Sequence, residues 1–200
     1  MKSRAQQRAD TRERIVEAAL DAFAELGFRA ASTREIARRA DANQGLITYH
    51  FRTKDELWRA AADRLFGMLH ATLGERLTQF ESDDPRAFAR EAIREYVRFS
   101  AAHPEFYRFM VDENKRSGER MRWLVDTHLK PLYEGFLQFG ESFGPAVDRS
   151  LLPHAYYVLA GAASLIFTAA PECRRLTGLR PETAGAVKAH AEFVARLLVP

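Results

Sequence analysis

Gln44, Thr48 and Tyr49, with Arg34, Arg38 and Arg39 before them and Lys54 after them, bring an amide, hydroxyls and cations into one short tract. That set suits hydrogen bonding to a polyanion. Lys54 is the most pointed of them: it falls in the first turn of a helix, where a cation opposes the macrodipole and requires an anion as its reason. Phosphate is the candidate. The elements that must position these groups can be read from local signals. Ser32 followed by Glu35 is a capping box, so a helix starts at about Thr33, with Ile36, Ala37 and Ala40 on its apolar face and the three arginines on the open side. Asp41-Ala42-Asn43 forms a turn. Asn43 caps a second short helix, Gln44 to His50, whose Ile47 and Phe51 point inward and whose Gln44, Thr48 and Tyr49 point out. Gly45 costs about 1 kcal/mol relative to Ala in a helix interior, which suggests close approach of a phosphate backbone. Thr53 and Glu56 form a second capping box for a helix beginning at Lys54.

Two short helices around a tight turn, followed by a capped third, are the layout of a helix-turn-helix reader of DNA. From about Thr11 to Trp58 the chain resembles the N-terminal domain of the TetR/AcrR family of transcriptional regulators. The likeness rests on Arg14-Ile15 to Ala18-Ala19, Phe23, Gly27-Phe28, Ile36-Ala37, Gly45, Tyr49-His50-Phe51, Lys54 and Leu57. The resemblance implies that Gln44–His50 enters the major groove. It also implies that Ser32 and Thr33 hold a phosphate, that Arg34 reaches a base or backbone edge, and that Gln44, Gly45 and Thr48 face bases. Tyr49, His50 and Lys54 would then clamp phosphates, with Asn43 and Leu46 completing the contact set. The sequence departs from the family pattern at Asp41 (commonly Gly), Ala42 (Val), Leu46 (a small hydroxyl residue) and Thr48 (Tyr). Leu46 offers only an apolar contact, for instance to a thymine methyl.

Composition agrees with this reading without dictating it. The net charge of +3 is uneven: residues 1 to 54 hold eleven basic against seven acidic side chains, which leaves the remainder slightly acidic. A basic front steers a protein toward a duplex, although a charge excess of this size is also what a solvated surface carries. Lys2, Arg4 and Arg8 are expected to form a flexible arm adding backbone contacts. Cys173 is the single cysteine, which excludes a disulfide within the chain and suggests no Cys-based metal site. The six histidines never fall at the four-residue spacing of two ligands on one helix, so neither metal nor cofactor is expected. No phosphate-cradling Gly-rich loop, nucleophile elbow or metalloprotease motif occurs, and no enzymatic activity is expected. A charged start with no apolar run after it argues against a secretory leader and for a cytoplasmic protein. Ser150 to Pro171 lacks Asp, Glu, Lys and Arg, yet Pro153, His154, Ser164, Thr168 and its many small residues favour a buried core or interface helix over a membrane span.

The expected fold is all-α. Three helices form a reader domain over residues 1–53, the first running from Thr11 to Leu26 with Gly27 as a left-handed stop, and six form a body over 54–200. The fourth helix runs from Lys54 to about Gln79 with the stripe Leu57, Ala61, Leu65, Met68, Leu69, Leu73 and Leu77. Asp84-Pro85 opens a fifth, and His103-Pro104 breaks it and starts a sixth. Ser117 opens a seventh to about Phe143, kinked at Pro131. The eighth spans about Asp148 to Ala170 and the ninth Pro181 to Val199. This nine-helix plan is also the one the resemblance implies.

For the body, the resemblance implies a cavity for a largely apolar small-molecule inducer. Its candidate lining is Phe99, Phe106, Tyr107, Met110, Trp123, Tyr133, Phe136 and Tyr157, with His103 and His128 as polar anchors. Each of these aromatics at helical spacing also fits plain core. The eighth and ninth helices carry Ala155, Leu159, Ala162, Ala163 and Ile166, and Ala184, Val187, Ala191, Val194 and Leu198, on several faces. In the family such helices pair with their copies. The expectation is therefore a homodimer on a palindromic operator, with the same faces filling the monomer's own core as the alternative. Another reading, an all-helical carrier of small molecules or lipids whose basic domain serves a different partner, leaves the two capping boxes, Gly45 and Lys54 without a common cause.

Overall fold

The computed structural model describes residues 3–80, 82, 84–115, 117–141 and 148–199, and these are helical with turns and contain no strand. Helix α1 (Arg4–Ala30) starts at Arg4 rather than Thr11. Ser3 caps it, its hydroxyl accepting from Gln6 N at 3.1 Å while the Gln6 amide oxygen accepts from Ser3 N at 2.8 Å. Arg4 and Arg8 are thus helical and not a flexible arm; Lys2 lies outside the described residues. Gly27 breaks the helix where its stop is expected, with non-helical φ and ψ, and a further short turn follows. Its φ of +74° is open to glycine, and the chain regains helical geometry through Ala30. A Cβ at Gly27 would lie 2.7 Å from an Asp112 carboxylate oxygen, so a larger residue would also require that side chain to shift.

Helices α2 (Thr33–Arg39), α3 (Gln44–His50) and α4 (Lys54–Thr78) fall where the caps place them. Then come α5 (Pro85–Ala102), capped by Asp84, and α6 (Pro104–Asn114). The expected seventh helix is divided into α7 (Glu119–Leu124), a wide π turn over Val125–Leu129 and α8 (Lys130–Glu141). Pro131 gives the reason: it has no N–H to donate, and its ring crowds the carbonyl four residues back, which the wider turn relieves. The end expected near Phe143 lies outside the described residues. The expected eighth helix is also two. A 3-10 turn at Arg149–Leu151 leads into α9 (Leu152–Thr168), and Pro171, just past the end expected at Ala170, lies in the first turn of α10 (Ala170–Thr177), which ends at left-handed Gly178. Thr183 caps the last helix, α11 (Ala184–Leu198).

Packing divides the chain into two compact units: Met1–Met68 with Arg108–Trp123, and Leu69–Tyr107 with Leu124–Pro200. The first is built on Ile15, Ala19, Phe23, Ile36, Leu57, Trp58 and Leu65, all at most 2% exposed, with Phe109 stacked on Trp58 at 5.3 Å. The second has a core of Ile93 and Val97 from α5, Ala163 and Phe167 from α9, and Ala191, Val194 and Ala195 from α11. The helix start at Lys54 that suggested a boundary at 53/54 is real, but α4 continues the first unit to Met68.

Candidate nucleic-acid interface

The α2–turn–α3 unit is pinned from below and open above. Ile36, Ala37 and Ala40 of α2, Ile47 of α3 and Phe51 are buried. Ser32 Oγ accepts from Glu35 N at 3.1 Å and Asn43 Oδ1 from Leu46 N at 2.9 Å, satisfying donors at both helix starts. At the far end of α2 the Arg14 guanidinium, brought by α1, donates to the Ala40 carbonyl at 3.1 Å. The turn passes through Asp41 at φ +48°, a left-handed conformation that favours glycine. Ser32, Arg34, Asn43, Gln44, Gly45, Thr48 and Tyr49 are exposed, and Thr33, Leu46, His50 and Lys54 half-buried. Gln44 Nε2 donates to Thr33 Oγ1 at 3.4 Å, linking the two helices on the open side. Gly45 has a local reason beside any close approach of a ligand: a Cβ there would meet the capping Asn43 Oδ1 at 3.2 Å.

Both capping boxes are altered. The Glu35 carboxylate does not return to the Ser32 N–H. It accepts from Arg38 at 2.7 and 2.9 Å and from Arg39 at 2.9 Å, and these two guanidinium groups hold its acid down to about 2. Arg39 also binds Glu25 at 2.7 Å, so two of the three arginines on the open side are engaged within the protein. Arg34 makes no ion pair among the described residues. Glu56 donates its N–H to Thr53 Oγ1 at 3.0 Å, but its carboxylate reaches one residue beyond the cap, to Arg52 N at 2.8 Å.

Lys54 has partners of its own. Its ammonium lies 4.6 Å from the Phe28 ring centre and donates to the Arg29 carbonyl at 3.4 Å, with Asp55 and Glu56 sharing its helical turn. Burial, then the charge of Arg120, lowers its pKa against the pull of Asp55. His50 is likewise lowered, by burial first and then by Arg8 and Arg12. These two arginines are the groups sequence reasoning misplaced or missed. Arg8 lies over the Tyr49 ring at 5.2 Å and Arg12 over Phe51 at 5.1 Å. The available signal was the four-residue spacing of Arg4, Arg8 and Arg12 behind the Ser3/Gln6 cap.

The ten residues expected to line a cavity are divided between the two units. Met110 and Trp123 lie in the first unit, with Trp123 edge-on to Trp58 at 5.8 Å. In the second unit, Phe99 is core, touching His103 at 4.8 Å and Phe106 at 5.5 Å, and His103 Nδ1 lies 2.9 Å from a Glu105 carboxylate oxygen. Tyr107 and His128 are half-buried. Tyr133 and Phe136 gather instead around Tyr156, at 5.1 and 5.5 Å, and Tyr157 is exposed. Burial and the neighbouring phenols of Tyr96, Tyr157 and Tyr133 push the Tyr156 hydroxyl up to about 12. A buried hydroxyl pair, Ser164 Oγ to Ser100 Oγ at 3.2 Å, joins α9 to α5 without any sequence signal.

The residues expected at a dimer interface are largely turned inward. Ala163, Ala191 and Val194 are core, and Leu159, Ala162, Ile166, Val187 and Leu198 pack against that core; Ala155 is half-buried and Ala184 exposed. The physical reason is α5, whose Ile93 and Val97 occupy this face of α9 and α11. The open apolar side chains are others: Leu151, Tyr157, Val158 and Leu165 near and along α9, and Phe193 and Leu197 on α11. The stretch Arg149–Thr168 has the length and hydropathy to cross a membrane, and only about a fifth of its most apolar window is buried (22%).

Among known proteins, the profile of "Bacterial regulatory proteins, tetR family" matches residues 15–61. The chain is 26% identical over 166 residues to the HTH-type transcriptional repressor NicS of Pseudomonas putida, covering 78% of this chain and 76% of NicS. It is 30% identical over 122 residues to the HTH-type transcriptional regulator BetI of Yersinia pestis, where the match covers 52% of this chain and 62% of BetI. The fold is similar to that of the transcriptional regulator FadR from Bacillus subtilis, solved in complex with stearoyl-CoA, with a TM-score of 0.69 at 18% identity over 94% of this chain and 97% of that one. The match to the tetR family of bacterial regulatory proteins is thus carried by residues 15–61, from α1 through the caps of α2 and α3 into α4, and the likeness over the rest of the chain is one of fold.

Proposed function

We propose that this chain is a transcriptional repressor that binds a palindromic operator as a homodimer and is released by a small molecule held in its second half. The observation that carries it is α3: a helix fixed by Ile47 and Phe51 on one side, with Gln44, Gly45, Thr48 and Tyr49 open on the other and cations flanking it. In this reading Gln44 and Thr48 meet base edges in the major groove, Leu46 offers an apolar contact, and Ser32, Thr33, Tyr49, His50 and Lys54 hold phosphates. Residues 1–53 read DNA and 54–200 sense ligand and dimerise.

The dimer is formed by the open apolar side chains of α9 and α11 against their copies. Leu151, Val158 and Leu165 recur every seven residues, as do apolar positions that face one partner helix, and Phe193 and Leu197 are one turn apart. This covering accounts for the apolar surface of Arg149–Thr168 without a bilayer. Two reader helices then serve half-sites about one helical turn apart, roughly 34 Å. The inducer is largely apolar and lies among the aromatic side chains around Tyr156; the stearoyl-CoA bound by FadR is a ligand with such an apolar part. Ligand works only by its differential affinity for DNA-binding and non-binding conformations. No catalytic step is assigned, and the protein acts in the cytoplasm, where its DNA is.

Selection of bound sequences from a random duplex pool at physiological salt tests this. Enrichment of a single palindrome is the expected result. Binding without enrichment would replace the repressor with a non-specific DNA-coating role, and no binding would refute the reading.

A further inference from the structure

We propose that the N-terminal turns of α1 are a second DNA-contacting element, in which Arg8 and Arg12 clamp phosphates of the duplex flanking the base pairs that α3 reads. The inference rests on the reading of α3 as the DNA-facing helix. Residues 4–14 precede the segment matched by the family profile, yet they are helical and begin with a complete reciprocal cap at Ser3 and Gln6. Spacing of four puts Arg4, Arg8 and Arg12 on one face, and all three are exposed. At 1.5 Å per residue the stripe is about 12 Å long, comparable to three or four base-pair steps.

Contact with the reading helix places this stripe beside its end. The Arg8 guanidinium lies over Tyr49 and that of Arg12 over Phe51, so two cations are fixed against the last turn of α3 by rings and not by carboxylates. Among the described residues neither arginine has an ion-pair partner. The contrast with neighbouring cations is what singles them out. Arg14 is occupied by the Ala40 carbonyl, Arg38 and Arg39 by Glu35, and Glu13 on the same turns is turned to Arg64 at 2.9 Å. Their field is felt at His50, whose protonated form they disfavour. A guanidinium held over a ring by its charge keeps N–H donors available, and its planar fork suits a phosphate.

The test is fluorescence anisotropy of the full chain on a random-sequence duplex over a range of salt, with melting temperature as a check on the fold. Arg8→Gln/Arg12→Gln should melt like the parent, bind at least tenfold more weakly at low salt, and lower the salt slope by about 1.8, since each lost phosphate contact removes about 0.9. Arg8→Lys/Arg12→Lys should keep the slope. An unchanged slope in the Gln pair overturns the proposal. Equal losses of affinity in the Gln and Lys pairs, with a lowered melting temperature in both, also overturn it by showing that the rings need the guanidinium planes only to hold α3. If the parent protein does not bind duplex DNA at all, the assignment of α3 itself fails, which is a different result.

Discussion

The guanidinium of Arg120 lies 3.6 Å from the centre of the Phe28 ring. Lys54 shares that ring, and Arg120 also binds Glu113 at 3.3 Å and Asp55 at 3.4 Å, while Asp112 accepts from Phe28 N at 3.3 Å. One short segment, 112–120, therefore fastens both the end of α1 and the start of α4. Glu113 is 2% exposed and depends on this arginine for neutralisation. Arg120→Met should cost about 3 kcal/mol by leaving a buried carboxylate unpaired, and Arg120→Met/Glu113→Leu should recover most of it. Urea denaturation of the two variants and the parent measures both values.

Lys54→Ala and Tyr49→Phe should weaken binding to every duplex alike, and the lysine change should lower the salt slope by about 0.9. Gln44→Ala should instead change which base pair is preferred at one position, by about 1–3 kcal/mol. Binding measured on operator and scrambled duplexes at several salt concentrations separates the two patterns; a sequence-specific loss at Lys54 would reverse the assigned roles.

The imidazole of His50 is held neutral in the free protein, its pKa depressed by burial and two arginines. A phosphate beside it stabilises the protonated form, so binding takes up a proton and affinity should rise as pH falls below about 6.5. The rise is at most tenfold per pH unit for one proton, and it levels off below the depressed value of the free protein. In the unbound protein the sign is opposite: the unfolded chain protonates first, so stability falls with pH over the same window. Titrating operator affinity between pH 5 and 8 for the parent and His50→Gln checks this, since the variant should lose the trend (~tenfold per unit as an upper bound).

Leu165→Glu or Phe193→Asp should leave the monomer folded and abolish the dimer, as both side chains are mostly exposed, at 58% and 63%. Val194→Ala, at 1% exposure, should instead lower stability by about 1–2 kcal/mol with the dimer intact. Light scattering and thermal melts distinguish the two. A dimer surviving both charge substitutions would move the interface elsewhere.

Asp41 occupies a left-handed conformation that favours glycine. Asp41→Gly should raise stability by about 0.5–1 kcal/mol through relief of that strain, less the entropy glycine adds to the unfolded chain. Denaturant midpoints give the answer.

The reader could be seen in the sequence because each of its boundaries is set within four residues: Ser32, Asn43 and Thr53 each cap a helix through a side chain beside the donor it serves. What escaped was decided by groups farther away or by competition among near ones. Glu35 chose Arg38 and Arg39 over the cap because three charge-assisted bonds from two guanidinium groups outweigh one neutral donor. The faces of α9 and α11 could not be assigned from residue type, because apolar side chains occupy several of them and only α5, distant in sequence, selects the buried one. Pro171 marks a helix end and a helix start equally well.

The two tryptophans of the chain, Trp58 and Trp123, stand edge-on to each other in the first unit, beneath Arg120 and Arg59. Intrinsic emission excited at the red edge is therefore a site-selective optical signal that needs no label. It responds to rearrangement where segment 108–123 meets α4 and is indifferent to tyrosine-rich surroundings elsewhere, so a titration followed by emission colour and anisotropy reads that junction directly.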